Sequence, residues 1–297
     1  MRAELETDRV REQPNSARGI MRRNVLELIK QHRAAGTIPT STRFLYYELV
    51  AKEIVSKEKN KSQRPDQPVS KALTELRGRG AVLWSEISDE TRDVSNYCGG
   101  TSIREELLEC LEVCCLDYWD GLAPLVLAES RSLRGVLIGL CSRYRVFIGS
   151  VNGQCAGYLH NNLTPLFANT PDRPVLYFGD WDFSGGHIEA NTRRVIELNI
   201  GARVNWKRLA LTEGQIDEYN LPVIQKFDNR TRKYHAAVET EALRQEIIVG
   251  ILEKEFEVLV PIHRQRKMQA LEAKERDRLR RWIEAMTNEP RRRPKNS

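Results

Sequence analysis

The sequence predicts an α/β protein: a small helical region first, then a mainly parallel sheet flanked by helices, then a basic C-terminal helix. Three observations carry this. Residues 21–79 hold apolar clusters at helical spacing. From residue 121 onward, short apolar runs ("LVLA", "RVFIG", "PVLYFG") alternate with helical segments, the order of a parallel sheet covered on both faces. Excess positive charge is confined to the end of the chain. Residues 263–297 hold 12 Lys and Arg against 5 Asp and Glu, whereas the remainder holds 35 against 36.

Within 297 residues there is room for two modest domains with real cores. A hydrophobic fraction of 40% and a charged fraction of 30% suit a soluble chain. No apolar run approaches the roughly 18 residues of a membrane span, and "MRAELETDRVREQPNSARG" has no apolar core of a secretion signal. Six cysteines (98, 110, 114, 115, 141, 155) form no C-x-x-C pair and are too few for a disulfide scaffold. Cys110 and Cys114, one helical turn apart, are expected to be buried and reduced rather than zinc ligands. A reducing, cytoplasmic setting is expected.

Residues 1–18 are polar and expected to be flexible. "MRRNVLELIKQH" clusters Val25, Leu26, Leu28 and Ile29 as on a helix. "AAGTIPTST" breaks it, and Ser41 or Thr42 is placed to cap the next helix, "RFLYYELVAKEIVSKE". After the polar loop "KNKSQRPDQP", "VSKALTELRGRG" reads as a third short helix and "AVLWSEISDETRD" as a β-hairpin. Three helices and a hairpin across residues 19–98 follow the order of a winged helix-turn-helix, whose third helix enters a DNA groove. Arg77 and Arg79 at the end of that helix are the candidate DNA contacts. The same order also occurs in domains that bind only proteins. A connecting helix spans 99–120, an α/β domain 121–262 and the basic helical tail 263–297. That tail suits a polyanion or, equally, a solubilising surface.

Candidate chemistry gathers at two strand ends. Glu129 follows "LVLA", and Asp180 and Asp182 follow "VLYFG". In parallel sheets, ligands sit beyond the carboxyl ends of the strands. Oxygen-only ligands suit a hard cation such as Mg²⁺. "SGG" lets backbone come close, and the helix after it presents an N-terminus suited to phosphate. A P-loop motif is absent from the sequence, so a P-loop nucleotide site is not expected.

Residues 121–198 resemble a Toprim domain on those motifs, "VLAESRSLRGVL" supplying Glu129 and "YFGDWDFSGGHI" supplying Asp180 and Asp182. "VETEALRQEIIVGILE" resembles the acidic segment that follows Toprim in the topoisomerase VI A subunit, Glu239 being the matching acid. The same family carries a winged helix with an R-x-x-Y-Y motif upstream, and "RFLYY" provides Arg43, Tyr46 and Tyr47. On a helical wheel Leu45, Tyr46, Leu49, Val50 and Ile54 make one apolar face, with Tyr47 at its margin. The resemblance spans roughly residues 20–260 and is nearest in length to the isolated Mini-A proteins. Two positions depart from it. Ser130 stands where a lysine is common, and "SVNGQCAG" (150–157) stands where relatives carry an arginine-glycine-aromatic motif.

The resemblance implies Mg²⁺-dependent DNA cleavage by transesterification. Tyr47 would be the nucleophile, Arg43 its electrostatic partner, and Glu129, Asp180 and Asp182 the metal ligands, with Glu239 as an additional acid. It implies a homodimer in which the tyrosine of one subunit works with the acids of the other. It also implies a nucleoid-associated place and, as a further partner, a separate GHKL-type ATPase subunit. Two alternatives stand beside it. One is a tyrosine-independent Toprim nuclease of the kind found in Wadjet plasmid defence. The other is a catalytically silent DNA-binding protein.

Overall fold

The computed structural model describes residues 16–56, 64–88, 101–152, 158–228 and 231–287. Helix α1 (Ala17–Ala35) is capped by Ser16, whose hydroxyl accepts from the Gly19 amide at 3.1 Å, and it closes on Gly36 at φ 69°. The helix therefore takes in the end of the stretch expected to be flexible. Helix α2 (Thr42–Ala51) is capped by Ser41 and ends well before residue 58. The chain turns at Glu53, with φ 57°, and Ile54 is 38% exposed instead of completing the apolar face. Helix α3 (Gln67–Gly78) starts with a proline in its first turn. The three helices bury Val25, Leu28 and Ile29 against Leu45, Tyr46 and Leu49, and against Val69, Leu73 and Leu76.

The expected hairpin at 81–93 is different. Trp84–Glu86 forms one 3₁₀ turn. It leads into β2 (Ile87–Ser88), which pairs in parallel with β1 (Thr40–Ser41). Glu86 accounts for this. Its carboxylate accepts from the Leu83 amide at 2.7 Å and takes Arg33 of α1 at 2.6 Å, so the turn is pinned to the first helix. Residues 89–93 lie outside the described residues.

The second half is built on a four-stranded parallel sheet in the order β4-β3-β5-β6. Its strands are β3 (Leu125–Ala128), β4 (Phe147–Ser150), β5 (Val175–Phe178) and β6 (Trp206–Ala210). Helix α5 (Arg131–Tyr144) lies between β3 and β4 in the chain, and α6 (Phe183–Ile200) between β5 and β6. Every residue of β3 and β5 is buried, as a sheet covered on both faces requires. One face puts Leu125, Leu127, Val175 and Tyr177 against Val195 and Ile196 of α6. The register sets Ala128 beside both Ser150 and Phe178, so β3, β4 and β5 end level with one another.

After helix α7 (Glu213–Glu218) comes an antiparallel hairpin, β7 (Ile224–Asp228) and β8 (Lys233–Ala237), which the sequence reading passed over. A 3₁₀ turn (Thr240–Ala242) leads into α8 (Gln245–Leu259). Gln245 ties this turn to the N-terminal helices by donating to the carbonyls of Thr37 (2.7 Å) and Pro39 (3.1 Å).

The chain divides into two compact units, residues 1–92 with 124–254 and residues 93–123 with 255–297. The second unit is an antiparallel pair of helices, α4 (Ile103–Val113) and α9 (Ile262–Thr287). Arg276 donates to the carbonyls of Leu111 and Cys114, and Glu272 accepts from the Leu116 amide. Arg264 pairs with Asp120 and Arg280 with Glu112. Part of the basic tail is thus spent on holding its neighbour. Helix α4 buries no residue, and Cys110 and Cys114 are exposed, contrary to expectation. Among the described residues the buried thiol is Cys141, which burial pushes up to about 12. Among the described residues no helix is long and apolar enough to cross a membrane.

Candidate active site

The level strand ends place Glu129 and Asp180 side by side. The Asp180 amide donates to Glu129 Oε2 at 2.9 Å, and the Glu129 amide donates to the Phe178 carbonyl at 2.8 Å. Two glycines make this approach possible. A Cβ on Gly179 would lie 2.6 Å from the Tyr177 ring and 2.8 Å from Glu129 Oε2. A Cβ on Gly185 would lie 2.6 Å from the Asp180 carbonyl oxygen. Of the "SGG" stretch, Gly185 is therefore a requirement of packing around the acids, whereas Gly186 has open space beside it. Arg208 of β6 fastens the same loop, donating to the carbonyls of Gly179 and Asp180 at 2.7 Å and of Leu211 at 2.8 Å, while pairing with Glu189.

The acids are buried at an electrostatic cost. Burial, then the charge of Asp180, pushes the Glu129 carboxyl up to about 7. Burial and the charge of Glu241 raise Asp180 as well, although its Oδ1 accepts from the Thr240 amide (2.9 Å) and hydroxyl (3.1 Å). Asp182 is engaged differently. Its Oδ1 caps α6 by accepting from the Gly185 amide at 2.5 Å, and its Oδ2 takes Lys226 of β7 at 2.6 Å.

Glu239 and Glu241 exchange the importance the sequence reading gave them. Glu239 holds Arg43 at 2.9 Å, and burial raises its carboxyl. Glu241, 1% exposed, lies deeper. Its Oε1 accepts from Ser130 (2.8 Å) and Ser132 (2.9 Å) and meets Arg43 at 3.0 Å. Its Oε2 is buried without a hydrogen-bond partner. Ser130 both caps α5 and anchors this acid, so the residue in the lysine position has a definite structural task. Glu241, Arg208 and Lys226 were missed in the sequence. Only the "E-x-E" spacing in "VETEAL" pointed toward Glu241.

Arg43 links the acids to the tyrosine helix. Burial opposes its charge, but Glu241, Glu239 and Asp180 together hold it above the usual guanidinium range. It lies 5.9 Å from the centre of the Tyr47 ring, one helical turn further along. Tyr46 and Tyr47 pack edge to face at 5.1 Å, 7% and 9% exposed. Both rings belong to the three-helix core, including Tyr47, which was expected at the margin of the apolar face.

Arg77 donates to the carbonyls of Trp84 and Ile87 at 3.2 Å and lies over the Trp84 ring at 4.7 Å. Its guanidinium is thus occupied in holding the 3₁₀ turn to α3. Arg79 is exposed at the end of α3. Of the stretch 150–157, Ser150, Val151 and Asn152 are among the described residues.

Two cavities open near these strand ends. One, of about 470 Å³, is lined by Asp180, Asp182, Phe183, Arg208 and His235 among others. The second, of about 420 Å³, lies at the start of α5 beside β4. Among the described residues no three acidic or imidazole groups converge on one ion position as the side chains stand. The donor types are nevertheless ones a hard cation can use: buried carboxylates, one oxygen of Glu241 with no hydrogen-bond partner, and a Glu129 carboxyl whose charged form is disfavoured by burial and then by the charge of Asp180. Asp182, with both oxygens used, fits this role less well than Glu241. The chain matches no family model, no curated protein and no solved structure.

Proposed function

We propose that this chain cleaves DNA by Mg²⁺-dependent transesterification through Tyr47, on a winged-helix and Toprim plan like that of the topoisomerase VI A subunit. The observation that carries the reading is Arg43. Through its pairs with Glu239 and Glu241 it joins the helix bearing the tyrosine to the acids beyond β3 and β5. The tyrosine motif and the acids, far apart in the chain, are thus linked through one guanidinium, which supports their acting on one substrate.

In this mechanism the Tyr47 phenolic oxygen forms a bond to a backbone phosphorus. The bond from phosphorus to the 3′ oxygen breaks. The proton given up by the phenol ends on that 3′ oxygen, leaving a 5′-phosphotyrosyl enzyme and a 3′-hydroxyl. A phenol with an ordinary pKa of about 10 is a weak nucleophile at neutral pH, and the Arg43 guanidinium, 5.9 Å from the centre of the Tyr47 ring, is near enough to meet the charge of the phosphate under attack. Glu129, Asp180 and Glu241 would hold Mg²⁺, which supplies stabilisation of charge developing on the phosphate. Thr240, Ser130 and Ser132 keep the Asp180 and Glu241 carboxylates in place. Arg208 keeps the loop of Asp180 from shifting.

A second reading has its own observation. Tyr47 is only 9% exposed and sits in a packed core. Burial of that kind favours a hydrolytic Toprim nuclease that needs no tyrosine. Incubating supercoiled plasmid with the protein and Mg²⁺ or Mn²⁺, then denaturing with and without protease, separates the two. Protein-linked 5′ ends that vanish in Tyr47→Phe support transesterification. Cutting that survives Tyr47→Phe but not Asp180→Ala supports hydrolysis. Band shifts without cutting in either metal rule out both and leave a DNA-binding protein.

A further inference from the structure

The second cavity is lined by Arg131, Arg134, Ile148, Ser150, Val151, Asn152 and Tyr158. Arg131 and Arg134 are three residues apart on α5 and so share one of its faces. The hydroxyl of Tyr158 stands over Gly149 of β4, where an added Cβ would come within 2.5 Å of it. Among the described residues that line the cavity there is no carboxylate. Its two cations are joined by three groups able to hydrogen-bond an oxyanion: a serine hydroxyl, an asparagine amide and a phenol. The N-terminus of α5 is already capped by Ser130, so the attraction to an anion comes from the guanidinium groups.

The position is as informative as the lining. The Asn152 amide donates to the Glu129 carbonyl at 2.9 Å, and the Val151 amide to the Ala128 carbonyl at 2.9 Å. The cavity thus adjoins the backbone that carries the first acid of the candidate site. A phosphodiester strand presents charge at every nucleotide, and phosphate contacts fix the register of a bound strand. One phosphate at the acids would bring a neighbour on the same strand toward this cavity.

We infer that the cavity bounded by Arg131, Arg134, Ser150, Asn152 and Tyr158 is a phosphate-binding subsite that holds the DNA backbone beside the cleavage position. The inference rests on the proposed action on DNA for the identity of its ligand. Arg131 and Arg134 position the strand and take no part in bond making or breaking.

The test measures fluorescence anisotropy of a labelled 20-base-pair duplex against salt, for the whole chain and for the double variant Arg131→Gln/Arg134→Gln. In parallel, inorganic phosphate is titrated against both proteins by the shift in thermal midpoint. The subsite predicts about tenfold weaker duplex binding in the variant and a log–log salt slope smaller by about 1 to 2, one or two phosphate contacts having been lost. It also predicts that a saturable stabilisation by phosphate disappears in the variant. Equal duplex affinity and slope in the two proteins would overturn the subsite while leaving the action on DNA intact. Phosphate stabilisation lost in the variant, with no duplex binding by either protein, would keep the anion site and overturn the DNA reading. No response to duplex or phosphate would overturn both. Circular dichroism of the variant guards against misfolding, and Arg131→Lys/Arg134→Lys, which keeps the charge, is expected to recover most of the affinity.

Discussion

Glu129 and Arg131 are two residues apart, yet they begin regions of opposite design. The acids beyond β3 and β5 are buried, crowded and tied to backbone amides and hydroxyls, with Glu129 pushed up by burial and the charge of Asp180, and Asp180 by burial and the charge of Glu241. The arginines at the start of α5 rim an open cavity, Arg131 being exposed and Arg134 half-buried. The difference teaches where the fold spends stability. Concentrating negative charge in a low-dielectric corner is costly, and the cost is tolerated where an ion or reacting phosphate recovers it. Basic groups that only meet a strand backbone need no burial and cost the fold little. Disabling the corner should therefore abolish chemistry and alter stability together, whereas disabling the cavity should weaken binding alone.

The largest expected effect breaks that contrast most sharply. Asp180→Ala should lower plasmid cleavage by about a thousandfold or more, by removing a charge that holds the metal, while duplex affinity by anisotropy stays within about threefold. A parallel loss of affinity would mean that the acids bind DNA rather than act on it.

Next comes the pH response of the metal-free protein. Glu129 has a folded value of about 7, above its ordinary 4.5, so the folded state holds a proton that the unfolded state has released. The stabilising contribution is complete below about pH 4.5 and is lost as pH rises toward 7, an effect on the order of 3 kcal/mol. Urea unfolding at pH 5 and pH 8 measures it. Glu129→Gln should reduce the difference, the raised Asp180 and Glu239 keeping part of it, and Mg²⁺ should restore stability at pH 8 but have little effect at pH 5.

Gly185→Ala should cost about 1–3 kcal/mol, because the new methyl meets the Asp180 carbonyl. Gly186→Ala, with nothing within 4 Å of the added carbon, should be neutral or slightly stabilising. Equal thermal midpoints for the two variants would show that the acids tolerate a looser loop than the packing implies. Lys226→Ala is the smallest change. Its exposed end pairs with Asp182, and the loss should be under about 1 kcal/mol with cleavage reduced only a few-fold. A large loss of cleavage would place Asp182 back among the metal ligands.

Much of the corner was legible because it is local. An apolar run ending in "GDWD" and another ending in "AES" identify strand ends from period and composition alone, and a parallel sheet brings such ends together. What stayed hidden depends on contacts between distant segments. Glu241 reaches the site through Ser130, Ser132 and the Thr240 contact to Asp180, and Arg208 matters through three carbonyls, none of which has a sequence signature. The β7–β8 hairpin was passed over because its strands are largely exposed and carry little apolar alternation. The first half of the expected hairpin differs for a related reason. "AVLWSEIS" has the composition of a strand, but the pair from Glu86 to Arg33 fixes Trp84–Glu86 as a turn ahead of the short strand β2. Cys110 and Cys114 show the limit of helical spacing as a guide, since shared phase does not say whether a partner covers that face.

The most direct test of the account is the fate of Tyr47 during cleavage. Plasmid cut by the protein in Mg²⁺ or Mn²⁺ would be digested with nuclease and trypsin, and the peptide Phe44–Lys52 sequenced by tandem mass spectrometry. The account predicts a nucleotide phosphate attached at Tyr47 rather than Tyr46, absent from Asp180→Ala. Cut ends bearing free 5′-phosphates, with the Phe44–Lys52 peptide unmodified, would contradict it.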